Sequence, residues 1–127
     1  MNATETYEHL FVGEGRVTLA ILRQGGRVTV GISFCSPKDQ FARHRGRKIA
    51  LGRAKAESVY GFDFVEVDQT LLHNKQAAVQ EFIKMACNDQ EVLFPGWVYR
   101  AVKQGEVCTV KDLRAGVRAQ ALGEFFI

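Results

Sequence analysis

The chain has no apolar run approaching the roughly 20 residues that a helix needs to cross a bilayer, and residues 1–10 are polar and acidic, the opposite of a secretory leader. No C-x-x-C pair occurs. Its three cysteines, Cys35, Cys87 and Cys108, are an odd number placed far apart, which argues against a disulfide framework and a zinc knuckle. The glycine pairs Gly13-x-Gly15 and Gly25-Gly26 lack the strand–glycine–helix order of a phosphate loop. Internal repeats, linkers and low-complexity tracts are missing too. What is left is one globular domain spanning residues 1–127, with 46% hydrophobic and 24% charged residues, expected in the cytoplasm with reduced thiols.

The charge is unevenly spread. Residues 38–55 carry Lys38, Arg43, Arg45, Arg47, Lys48, Arg53 and Lys55 against one acid, Asp39, a net of +6 in 18 residues. The other 109 residues hold ten basic and thirteen acidic groups, a net of −3. A mildly acidic body bearing one basic patch favours a localised anionic partner over general stickiness.

The first third reads as a meander. Residues 7–12 are a short apolar run closed by Gly13-Glu14-Gly15. Residues 16–23 alternate, with Val17, Leu19 and Ile21 on one face and Arg16, Thr18, Ala20 and Leu22 on the other. Gln24-Gly25-Gly26 supplies a hairpin turn, and residues 27–34 alternate again through Val28, Val30, Ile32 and Phe34. Ser36-Pro37-Lys38-Asp39 has the residue types of a helix start, so a helix over 37–56 is expected. Its inner stripe, weak and rich in small residues that would let the helix lie close against the sheet, would be Phe41, Ala42, Ile49, Gly52 and Ala56, with the basic residues outward or along the rims.

A fourth strand is expected over 59–67 and a clear amphipathic helix over 69–87. Residues 97–103 and 106–111 fit a hairpin about Gln104-Gly105, or two helices, with Thr109-x-x-Asp112 favouring a helix start at Thr109. Together these elements predict an α+β fold: a mainly antiparallel sheet of about four strands, two packed helices and a C-terminal helix or hairpin.

Phosphate backbones need several cations at their own spacing, and the arginine fork grips phosphate oxygens in pairs. The expected function is therefore non-enzymatic nucleic-acid binding, single-stranded or weakly sequence-specific. Arg43, Arg45, Arg47, Lys48 and Arg53 would neutralise phosphates, and Lys38 and Lys55 would extend the track. The plain alternative is a solvated helix whose cations only offset acids elsewhere. Candidate stacking platforms are Tyr7, Phe11, Tyr60, Trp97 and Tyr99, and Arg16, Arg23 and Arg27 could lengthen the patch or simply guard a strand edge.

Catalysis is weakly supported. Asp63 alternates away from Glu66 and Asp68 on a strand, which makes a shared metal awkward. His9, His44 and His73 lie on unrelated elements with no companion at ligand spacing. Cys35 beside a helix start could have an acidic thiol, but no partner base is identifiable, so a buried structural role is favoured. Residues 103–117, with Arg114 and Arg118, have a faint helix-turn-helix pattern. No catalytic residue, metal or cofactor is assigned. The alternative function is a protein-interaction adaptor whose basic helix docks on an acidic partner, supported by the apolar ending Phe125-Phe126-Ile127. An enzyme acting on nucleic acid ranks third. A homodimer is expected, because one short basic helix offers few phosphate contacts.

Overall fold

In the computed structural model the described residues are 4–56, 60–65, 71–88 and 94–110. Three long strands come first: β1 (Thr4–Val12), β2 (Gly15–Gln24) and β3 (Arg27–Cys35). Helix α1 (Arg43–Lys55) follows, then strand β4 (Gly61–Val65), helices α2 (Leu71–Cys87) and α3 (Gly96–Lys103), and the short strand β5 (Val107–Thr109). The sheet is antiparallel with order β4-β3-β2-β1-β5. It is the expected α+β architecture with five strands in place of four. Gly13 and Gly25 take the positive φ values of 59° and 62° that close the two hairpins.

Register explains the layering. His9, Thr18 and Ser33 stand side by side across β1, β2 and β3, as do Tyr7, Ala20 and Gly31. The alternate positions, among them Leu10, Val17, Leu19, Ile21, Val30 and Ile32, are fully buried and apolar. Period-2 alternation thus gives the sheet one polar, small-residue face and one apolar face. Phe82 and Ile83 of α2 and Val98 and Val102 of α3 join the core over the apolar face. Helix α1 takes the polar face.

The α1 helix starts later than its sequence signals suggest. Ser36 accepts the Lys38 amide on its hydroxyl at 3.3 Å and the Asp39 amide on its carbonyl at 2.9 Å. These bonds close a single turn instead of opening a helix. The chain is then extended at Ala42 (φ −126°, ψ 108°), which caps α1 without a side-chain hydrogen bond. The inner stripe also differs. Ala50 and Ala54 are the buried residues of α1, and Gly46 sits over Thr18, whereas Ile49, Gly52 and Ala56 are exposed. Small residues do let the helix lie close against the sheet, as expected, but they are Ala50, Ala54 and Gly46 over the groove at Gly31.

The region left open in sequence resolves into helix, turn and strand. Gly105, with φ 72°, ends α3 and leads directly into β5, which pairs with Leu10–Val12 of β1. This replaces the hairpin, and the strand interrupts the helix-turn-helix pattern. The helix expected beyond Thr109, with Arg114 and Arg118, and the ending Phe125–Ile127 lie outside the described residues. No helix among those described is long and apolar enough to cross a membrane.

Candidate nucleic-acid interface

Helix α1 lies on the polar face because Gly31 leaves room for it: a Cβ there would overlap the backbone of Ala50 and Ala54. A Cβ on Gly46 would stand 2.9 Å from the Thr18 hydroxyl. So close an approach strands polar groups between helix and sheet, and each finds a partner. Ser33 donates its hydroxyl hydrogen to the Gly46 carbonyl at 2.9 Å. His9 is buried between Thr18 and Arg47. The Arg47 Nε–H donates to His9 Nε2 at 3.1 Å, so the ring proton sits on Nδ1 and is shared with the Thr18 hydroxyl at 3.0 Å. Burial, reinforced by the charges of Arg47, Arg43 and Lys75, lowers the His9 pKa to about 4. The ring therefore stays neutral at physiological pH and keeps an acceptor for Arg47.

Three arginines are held against aromatic rings along this face. The Arg47 guanidinium lies 5.0 Å from the Tyr7 ring centre. Arg16 lies 3.8 Å from the centre of Phe11 and 5.4 Å from that of Phe41. Phe41 also meets His9 edge-on at 5.7 Å. On the opposite flank of α1, Arg53 donates to the Ile32 carbonyl at 2.8 Å and lies 4.8 Å from the Tyr60 ring. Such contacts fix a guanidinium while leaving its charge.

The seven basic residues singled out in sequence therefore divide. Arg47 and Arg53 are half-buried and spend N–H groups on the fold. Lys38, Arg43, Arg45, Lys48 and Lys55 are exposed. None of these five makes an ion pair or a side-chain hydrogen bond among the described residues. Among the described residues no acid is ion-paired with them.

The candidate platforms divide as well. Tyr7 and Phe11 share the α1 side of β1, half-buried beside the helix. Tyr60 touches Arg53 and packs edge-on to Phe34 at 5.2 Å. Trp97 and Tyr99 belong instead to the core on the far face, where the Tyr99 hydroxyl accepts the Phe94 amide at 2.8 Å. Sequence had missed His9, Thr18 and Phe41. The signal was present in the unusually small and polar outer face of two central strands, Thr18-x-Ala20 and Gly31-x-Ser33, which only a closely packed element would require.

A cleft of about 710 Å³ opens between residues 39–42, the first turns of α1 and the ends of β2 and β3. Phe41, Ile49, Arg45 and Gln40 line it, with Thr18, Ser33 and Cys35 among its remaining residues. Cys35 is half-buried there, less enclosed than a structural thiol was expected to be, and its thiol points to the Asp39 carbonyl at 3.7 Å. Asp63, the acid considered for metal chemistry, is paired with Arg27 at 2.9 Å. That hydrogen bond holds its carboxyl below the usual range. Glu66 and Asp68 lie outside the described residues. Compared with models of known families, with curated proteins and with solved structures, the chain matches none.

Proposed function

We propose that this chain is a non-enzymatic, cytoplasmic nucleic-acid-binding protein that grips phosphates along the outer side of α1, on single strands or with little sequence preference. The observation that carries this reading is the set of five exposed cations, Lys38, Arg43, Arg45, Lys48 and Lys55, without acidic partners among the described residues. Cations that merely balanced a local acidic surface would be found paired with it. Arg47 and Arg53 add charge from fixed positions and hold the helix in place. Half-buried Tyr7 and Phe11 beside the helix supply the aromatic company such surfaces use.

The adaptor alternative needs a broad apolar patch by the helix, and Ile49, at 38% exposure, is the single exposed large hydrophobic among the described residues. A second copy of the chain would double the cation track. β5 pairs with Leu10–Val12 of β1, and pairing of two copies along a sheet edge is one way to bring their helices together. Light scattering at micromolar concentration tests this: a monomer removes the dimer.

The decisive experiment is a gel-shift titration with single- and double-stranded oligonucleotides at several salt concentrations. Log affinity should fall linearly with log salt, with a slope reflecting about 3 to 5 neutralised phosphates. A flat salt response, or no binding at low salt, would remove nucleic acid as the partner.

A further inference from the structure

We propose that the cleft beside the start of α1 receives one unpaired nucleobase, which makes the protein selective for single strands. The inference rests on the phosphate-binding reading and adds a base subsite to it. The cleft's 710 Å³ falls within the range of about 300–1,000 Å³ typical of small-ligand sites. Its walls suit a flat apolar plate with a polar edge. Phe41 and Ile49 offer apolar surface, and Ile49 is otherwise an unexplained exposed hydrophobic. The Gln40 side-chain amide, with both donor and acceptor atoms, has no hydrogen-bond partner among the described residues and stands at the same cleft.

Placement links the cleft to the phosphate track. Arg45 both lines the cleft and belongs to the five unpaired cations, and Lys38 directly precedes the lining residue Asp39. A nucleotide whose phosphate meets Arg45 therefore has its base within reach of Phe41 and Ile49. In a duplex that base is stacked and paired, and entry would require extruding it at a cost in unstacking. A phosphate or an acidic side chain would use the cations but would gain nothing from the apolar walls.

The test compares a thymidine oligonucleotide with an abasic oligonucleotide of equal length, so that phosphates are constant and bases are not. The abasic strand should bind roughly ten-fold more weakly, the expected contribution of stacking one base, with an unchanged salt slope. Ile49→Ser and Gln40→Ala, both at exposed positions, should shrink that difference while leaving abasic binding as it was. Equal affinity for the two strands overturns the base cleft but leaves phosphate binding standing. Failure to bind either strand at low salt removes the phosphate reading beneath it. A base preference that both variants leave at full size assigns the base to another part of the surface and overturns this cleft.

Discussion

On one face of the sheet, Phe82 and Ile83 of α2 and Val98 of α3 fill the space over Leu10, Leu19 and Ile32 with apolar volume. On the other, α1 comes down on Gly31 and is held by Ser33, by the Thr18–His9–Arg47 chain and by Arg53 on the Ile32 carbonyl. Area removed from water secures the first layer. Close approach and satisfied polar groups secure the second. The difference bears on function, because a helix attached through small residues and a few inward arginines keeps its remaining cations for the outside.

The largest effect is expected where volume does the holding. Phe82 is fully buried and stacks on Phe94 with ring centres 5.4 Å apart. Phe82→Ala should cost about 3–5 kcal/mol in a denaturant titration, and the folded fraction should bind oligonucleotides as before. If α1 and its cations also lost affinity at full folding, the two faces would not be independent.

Next comes the contact that defines the polar face. Gly31→Ala places a methyl group against the backbone of α1, which cannot rotate away as a side chain would. The helix must lift, at about 1–3 kcal/mol. Here stability and binding should fall together, in contrast to Phe82→Ala, because the lifted helix carries the cations. Equal binding by the folded Gly31→Ala protein would show that the exact seating of α1 is irrelevant to its partner.

The strand pattern was readable because period-2 alternation in residues 16–23 and 27–34 is a local property, and it named the apolar face correctly. Helix α2, with one continuous apolar stripe, was readable for the same reason. The start of α1 was not. Ser36-Pro37 signals a turn as well as a helix, and beside the extended Ala42 the Phe41 ring packs against His9, a partner 32 positions away in sequence. The split among the seven cations was hidden likewise. Nothing near Arg47 or Arg53 in sequence distinguishes them from Arg43 or Arg45, since their partners His9, Tyr7, Ile32 and Tyr60 lie on other elements.

A smaller effect follows from His9. Its folded pKa of about 4 lies below the ordinary value of 6.5, so between these values the unfolded chain binds more protons than the folded one. Stability is complete above about pH 6.5 and falls as pH drops toward 4. One proton limits the slope to ~1.4 kcal/mol per pH unit, and solvent near the site keeps it below that limit. Among the groups facing the ring, Arg47, Arg43 and Lys75 oppose its protonation. Thr18 and Phe41 are uncharged, and Glu8, ion-paired with Lys75 at 3.9 Å, offsets part of that lysine's charge. The difference in stability between the wild type and His9→Gln, measured by urea titration at several pH values, should grow across this window and level off above it. A difference independent of pH would mean that the ring is charged in the folded state or open to water.

The smallest effect on stability, and the sharpest separation of fold from function, is expected for cations without hydrogen-bond or ion-pair partners among the described residues. Arg43 and Lys48 are exposed and lack ion pairs and side-chain hydrogen bonds among the described residues. Reversing both to Glu should leave stability within about 0.5 kcal/mol, the usual range for surface substitutions. Binding should weaken, and the salt slope should fall by about 2 phosphates' worth. Arg47→Glu is the control from among the basic residues that spend hydrogen bonds on the fold. It removes the donor to His9 Nε2 and the cation over Tyr7, and it sets a carboxylate in a half-buried position. It should therefore lower stability measurably as well as affinity. If the Arg43/Lys48 reversal destabilised the fold as much as Arg47→Glu, the exposed cations would be structural, and the division between inward and outward basic residues would fail. If it left both stability and affinity unchanged, the phosphate track would have to run elsewhere, and Lys38, Arg45 and Lys55 would be the next positions to reverse.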